Sequence, residues 1–304
     1  MKLTRYCVVF SIITLLSFSG FVPTVRAQED VLETIIQGVK HYDSLLKSGE
    51  VTLILKTELA DDFVKSAKEA FEARGQQLAL SKSSTEEVTI VFNGDKVRCE
   101  TKHVEIEDNM EPSRDILVYD GEKNLLFVET FTEKVGVIGG KKDTSLMDPI
   151  RNFGLALFGK SLSEVLSSSD YKLNLLGQQH VNGAPCYVVE VLREDGTRGK
   201  LCIDPLAGYG ARRIEVKYNT GGTTVIDTDF QQVSDGLWYP SKGSLLSHRR
   251  SDTGMVMTKK KTMELKKANL NIDIPDSYFS IAFPAGTRVA DKIAGITFRV
   301  PTAE

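Results

Sequence analysis

From Val31 the apolar positions Val31, Leu32, Ile35, Ile36, Val39, Tyr42 and Leu46 recur at helical spacing. Asp30 and Glu33 resemble a cap with its returning carboxylate, and Gly49 closes the run. This predicts one amphipathic helix of about 18 residues with a single face to bury. After Gly49 the period changes from 3.6 to 2. Leu53, Leu55, Thr57 and Leu59 alternate with Thr52, Lys56 and Glu58, and Val88, Ile90 and Phe92 alternate with Glu87 and Thr89. Between them Asp61 to Arg74 is rich in helix formers, with Phe63, Ala67 and Phe71 on one side. Further strands are expected at Lys96–Ile106, Asp115–Tyr119 and Leu125–Phe131. The pattern then stops from Gly139 to Ser169, where Pro149 can open one short helix and Ser161-Leu162-Ser163-Glu164 forms a capping box for a second.

Strands resume at Tyr171–Val181, Cys186–Leu192, Gly199–Ile203, Arg212–Tyr218, Thr223–Gln232, Leu237–Leu246 and Met255–Asn269. Turn chemistry stands at each joint, for example Asn182-Gly183, Asp195-Gly196 and Asp235-Gly236. The prediction is a mainly β (α+β) chain: one curled antiparallel sheet of about eleven strands, a half-open barrel, with helices on its concave face as lid or plug. No βαβ rhythm supports a doubly wound or β/α-barrel fold. A sheet of that size must curl, and the helices offer the only other apolar faces to cover its inside.

The N-terminus follows a different logic. Lys2 and Arg5 precede an apolar run of about 16 residues, Cys7 to Val22, and Val25-Arg26-Ala27 places small residues where a signal peptidase reads. A membrane span needs roughly 20 residues. The expectation is therefore a signal peptide, 1–27, cleaved after Ala27, and a single periplasmic or secreted domain, 28–304. Losing Lys2, Arg5 and Arg26 with no acid takes the formal charge from −3 to −6.

That charge excludes a generic nucleic-acid binder, which needs a basic surplus. Four Cys and four His in 304 residues do not suggest a metal cluster or a disulfide-dense scaffold, and no cofactor is expected. An exported chain can oxidise thiols. Cys186 and Cys202 flank the turn at Glu194–Thr197, so two readings stand: a disulfide across a hairpin, or small buried apolar groups. His180 lies six residues before Cys186, but the sequence places no third group to orient such a pair. Gly139-Gly140-Lys141-Lys142 and Gly208-Tyr209-Gly210 lack the spacing of phosphate or dinucleotide loops, and no Gly-x-Ser-x-Gly elbow occurs. Asp227 and Asp229 share one strand face, which is commonplace for solvent-facing acids. No enzymatic activity is expected.

Several short motifs, in order, resemble the LolA/LolB-like outer-membrane lipoprotein carrier (lipoprotein-sorting) superfamily, in a secreted bacterial branch. They are Val97-Arg98-Cys99-Glu100, Val118-Tyr119-Asp120-Gly121-Glu122, Asn182-Gly183-Ala184-Pro185-Cys186-Tyr187, Ile203-Asp204-Pro205, Asp235-Gly236-Leu237-Trp238-Tyr239-Pro240 and Phe283-Pro284-Ala285-Gly286-Thr287-Arg288-Val289. The resemblance spans roughly Val31 to Asp291 and implies an incomplete barrel lidded by helices over a hydrophobic cavity, which binds an acyl lipid or lipoprotein without bond chemistry. On that reading the lining is Leu53, Leu55, Val88, Ile90, Phe92, Phe127, Ile214, Val216, Tyr218 and Trp238, with Phe153, Leu157 and Phe158 as lid. Arg98 is the candidate for the carrier's cavity arginine. The alternative is an envelope sensor or structural interaction module with a packed interior and no cargo. Arg249, Arg250, Lys259, Lys260 and Lys261 lie on two arms of one hairpin, either to deter edge pairing or as a docking rim for an anionic membrane surface or envelope protein.

Overall fold

A computed structural model of the chain describes residues 25–75, 80–106, 113–130, 132–140, 153–251 and 254–302. Residues 1–24 of the expected 1–27 signal peptide, the run around Pro149 and the tip of the 249–261 hairpin lie outside the described residues. Helix α1 (Val25–Leu45) leads into β1 (Ser48–Leu59), α2 (Asp61–Glu72), and a meander of β2 (Ser83–Asn93), β3 (Lys96–Ile106), β4 (Arg114–Tyr119), β5 (Asn124–Glu129) and β6 (Lys134–Gly139). A two-stranded ribbon, β7 (Ala156–Leu157) and β8 (Lys160–Ser161), runs into α3 (Leu162–Ser167). A second meander follows: β9 (Tyr171–Val181), β10 (Ala184–Arg193), β11 (Arg198–Asp204), β12 (Gly210–Lys217), β13 (Thr223–Ser234), β14 (Leu237–Ser251) and β15 (Gly254–Leu270). The short hairpin β16 (Arg288–Asp291) and β17 (Ile296–Arg299) ends the chain.

Fifteen of these strands form one curled, unclosed sheet in the order β17-β16-β6-β5-β4-β3-β2-β1-β15-β14-β13-β12-β11-β10-β9. All neighbours are antiparallel except β16, which runs parallel to β6. The expected count of about eleven is corrected upward. β6, β16 and β17 were missed because each has only 4 to 6 residues, too few for alternation to register. Register shifts interrupt β1–β15, β2–β3, β9–β10, β11–β12, β13–β14 and β14–β15, and such bulges bend strands and increase their twist.

α1 starts earlier than its cap pattern suggested. Residues 25–29 already continue the helix, so Asp30 sits inside it and its carbonyl accepts from the Thr34 hydroxyl. The second capping box forms as read: the Ser161 hydroxyl accepts from the Glu164 N–H at 3.2 Å, and the Glu164 carboxylate accepts from the Ser161 N–H at 2.7 Å. The two helices meet where the Ser163 hydroxyl donates to Asp43.

α1 buries Ile35, Val39 and Tyr42 on one face of the sheet, here the inner face, against Val51, Leu53 and Leu55 of β1 and the apolar rows of β10 to β13. Phe153, Leu155 and Leu157, with Leu162, Val165 and Leu166 of α3, complete that core. The approach is close. A Cβ at Gly243 would lie 2.3 Å from the Phe153 ring, and one at Gly38 of α1 would lie 2.3 Å from the Tyr209 ring. The Tyr42 hydroxyl donates to the Trp238 carbonyl. On the outer face a C-terminal strap lays Ile274 and Phe279, with Ile281 and Phe283, over Val91, Ile116, Val118, Leu125 and Phe127. Asp204, 1% exposed, accepts from the Leu206 N–H at 2.8 Å and from Arg212 Nε at 2.5 Å, which fixes the turn after β11.

Because the 153–167 plug seats the Phe153 ring directly over Gly243, Gly243→Ala should displace Phe153. A cost of about 1–3 kcal/mol is expected, read as a lower urea midpoint at unchanged slope.

Candidate functional site

Residues paired across neighbouring strands share a face, so the ladder registers extend the inner face outward from β1. Leu53 pairs with Val88, and Leu55 with Glu86. Glu86 pairs with His103, Val88 with Thr101, and Ile90 with Cys99. Thr101 then pairs with Asp115 and Cys99 with Leu117. Asp115 meets Val128 and Leu117 meets Leu126, which in turn lie beside Val135 and Val137.

The inner face therefore has two halves. Under β1, β2 and β10–β15 it is filled: Leu53, Leu55, Val88, Ile90, Ile214 and Val216 are buried beneath α1, α3 and the plug, and Phe92 and Trp238 are half-buried against the same cluster. Of the expected lid, Phe153 and Leu157 are buried within this core. Phe158 stacks on Tyr171 with ring centres 5.9 Å apart and lies under the Arg193 guanidinium. Across β4–β6 the inner face carries Leu117, Leu126, Val128, Val135 and Val137, all half-buried and belonging to none of the apolar clusters among the described residues.

At the border between the halves stands a polar group. Glu86 and His103, each side chain 20% exposed, approach to 3.8 Å. His103 Nδ1 and Asp115 Oδ1 are shielded from water and have no hydrogen-bond partner. Lys261 of β15 pairs with Thr57, two residues along from Leu55, and so points to the same inner face. It makes no ion pair or hydrogen bond among the described residues. Burial pulls its ammonium below the ordinary lysine range, against the opposing field of Glu86. Burial likewise raises the Asp115 carboxyl, with His103 opposing and Glu86 adding to the rise.

Several sequence expectations are corrected by these positions. Phe127 pairs with Ile116 on the outer face, where it meets Phe283 at 6.4 Å, so it does not line the inner face. Tyr218 falls just beyond β12 and is 43% exposed. Arg98 also points outward, donating to the carbonyls of Tyr278 and Ser280 at 3.4 and 3.2 Å, and is not a cavity arginine. The three lysines cannot form one rim, because consecutive strand residues alternate faces. Lys259 and Lys261 are on the inner side, whereas Lys260 reaches Glu58 at 3.5 Å on the other. Arg249 packs over the Phe63 ring of α2 at 6.0 Å, and Arg250 is exposed. Cys99, Cys186 and Cys202 are all buried and none is in a disulfide, in line with the reading of small buried apolar groups, and burial pushes the Cys186 thiol up to about 11. Asp227 and Asp229 both face arginines, at 3.3 and 3.9 Å.

Glu86, His103 and Asp115 were missed although a signal was present. Each is polar yet in phase with apolar or inner-face neighbours: Glu86 with Val88 and Ile90, His103 with Cys99, and Asp115 with Leu117. Away from the inner face, an open cleft of about 540 Å³ beside β16 and β17 is lined by Lys134, Arg288 and Arg299. Glu129 and Glu133 neutralise Lys134 and Arg288, each at 3.0 Å.

No protein-family model matches the chain, and no curated protein matches it. Among solved structures it is similar to a DUF1329 family protein from Desulfovibrio piger (TM-score 0.48), to an outer membrane lipoprotein-sorting protein domain from Vibrio parahaemolyticus (0.47) and to a LolA superfamily protein from Nitrosomonas europaea (0.46). Each is 12% identical, over 82% of this chain and 97% of the other. At that identity no residue's role passes from those proteins to this one. Among the described residues no helix is long and apolar enough to cross a membrane.

The polar group should be visible in stability. At neutral pH the folded state holds an Asp115 carboxylate whose native carboxyl titrates above its unfolded value, so the stability it contributes is present at acid pH and is lost as pH rises through the native value. Asp115→Asn is therefore expected to raise the urea midpoint at pH 7, with the advantage over the parent shrinking as pH falls toward 4. A constant difference across that range would remove the desolvation argument.

Proposed function

We propose that this chain is an exported lipid-binding carrier that holds an acyl chain along the β4–β6 stretch of the inner face and performs no bond chemistry. One observation carries the reading: Leu117, Leu126, Val128, Val135 and Val137 form a continuous aliphatic surface that neither α1 nor the plug packs into its core. Each methylene removed from water contributes about 0.8 kcal/mol. Ten of them supply roughly 8 kcal/mol, the scale of a micromolar complex before ordering costs are deducted. The N-terminal 27 residues, basic and then apolar and ending in small residues, support delivery across the inner membrane. The similarity to a lipoprotein-sorting domain is compatible with this reading, and the cargo proposed is an acyl lipid or lipoprotein.

A second reading has its own observation in its favour. The β1 and β10–β15 half is filled by α1, α3 and the plug, as an envelope sensor or interaction module without cargo would need. Titration with a fluorescent fatty acid separates the two. The carrier should bind it at micromolar concentration, and Leu126→Asp should weaken binding at least tenfold by placing a charge on that aliphatic surface. Leu206→Asp, at a residue 70% exposed on the turn after β11, should leave binding unchanged. A protein that ignores the fatty acid and is empty by native mass spectrometry would instead favour the sensor.

A further inference from the structure

Carriage of an acyl chain leaves open what is attached to it, and the polar border of the aliphatic surface addresses that. On the inner face, Lys261, Glu86, His103 and Asp115 come from four different strands, β15, β2, β3 and β4. Ladder registers place Glu86 beside His103, and Asp115 beside Thr101, one inner-face position along from His103. Lys261 pairs with Thr57 and Glu86 with Leu55, so the two stand on opposite flanks of β1 two residues apart on the same face, and the field of Glu86 acts on the lysine.

A set built only for stability would close upon itself, since leaving buried polar atoms unpaired is costly. This one does not. His103 Nδ1 and Asp115 Oδ1 have no hydrogen-bond partner, His103 and Glu86 stop at 3.8 Å, beyond hydrogen-bond distance, and Lys261 makes no ion pair among the described residues. Among the described residues the group therefore offers a cation without an ion pair and an unpaired carboxylate oxygen at the edge of the aliphatic surface. The charges are of both signs, Glu86 and Asp115 on one side and Lys261 on the other, with Lys259 two residues along behind it, so a purely anionic head would meet the carboxylates and a purely cationic one would meet Lys261.

We infer, resting on the carrier reading above, that this border is a headgroup site for a zwitterionic aminophospholipid of the phosphatidylethanolamine type. Lys261 takes the phosphate, and Asp115 with Glu86 takes the primary ammonium. A primary ammonium donates three hydrogen bonds, whereas the quaternary ammonium of phosphatidylcholine donates none, so the unpaired Asp115 oxygen discriminates between them. Phosphatidylglycerol has no cation for either acid.

The test uses the full chain without its first 27 residues, incubated with vesicles that contain equal parts of phosphatidylethanolamine, phosphatidylglycerol and phosphatidylcholine. The protein is re-isolated and its lipid identified by native mass spectrometry. The expected result is phosphatidylethanolamine enriched about tenfold over either competitor, the worth of one charge-assisted contact. Lys261→Met and Asp115→Asn should each abolish that enrichment while leaving the affinity for the fluorescent fatty acid within twofold. Each variant relieves an unpaired buried group, so both should remain folded, checked by near-UV circular dichroism. Equal uptake of the three lipids by a protein that still binds the fatty acid would overturn the headgroup site and leave the carrier reading standing. Enrichment that survives in both variants would overturn the assignment to these residues. Failure to bind the fatty acid at all would remove the carrier reading and this inference with it.

Discussion

A wide antiparallel sheet has two faces to hide from water, and this chain has little helix with which to do it. The strict alternation of side chains across each strand divides the problem into two independent ones, and the register of β1 with its two neighbours links them. Leu53 and Leu55 look one way and commit β2 and β15 to the same orientation, so a slip of one residue would turn every apolar row to the wrong side. The solution is asymmetric. The C-terminal strap covers the outer face of β2–β5, α1 and the 153–167 plug cover the inner face of the other half, and the inner face of β4–β6 is left with the least cover among the described residues.

The polar border stands where the two regimes meet. Toward α1 the inner-face rows are mainly apolar and buried. Toward β4 the rows continue as aliphatics that are only half-buried, and in between come Glu86, His103 and Asp115, with Lys261 reaching in from β15. Placing charge there costs stability, and the direction of both shifts, Lys261 down and Asp115 up, has burial as its first cause. Groups retained at such a cost, and left unpaired, mark the part of the molecule least explained by folding alone.

Much of this architecture could be read from the residue pattern. The stripe of Ile35, Val39 and Tyr42 is the buried face of α1, Ser161 and Glu164 close their capping box, and Asn93-Gly94, Asn182-Gly183 and Asp235-Gly236 turn hairpins with glycines at φ of 58°, 80° and 70°. What could not be read was sidedness. In β4 the sets Ile116/Val118 and Asp115/Leu117 are distinguishable by alternation, but both carry apolar residues, so the pattern does not say which is inner. Phe127 and Arg98 were misplaced for this reason, because the covering strap lies some 150 to 180 residues further along the chain. The lysine run failed differently. Adjacency in sequence suggested one patch, whereas the pleat sends Lys260 and Lys261 to opposite sides.

The pairing of β1 with β15 has a consequence for how the molecule is made. Each meander is stitched by hairpins a few residues long, but the two are joined at the centre by strands more than 190 positions apart, Leu59 opposite Lys259 being the nearest pair in sequence. Whichever end of the polypeptide emerges first, the first of these strands must wait with an unsatisfied backbone flank until nearly all the rest has followed. Assembly of the full sheet is thus a late event governed by closure of one large loop, and the interval before it is when the nascent protein is most open to pairing with the wrong neighbour.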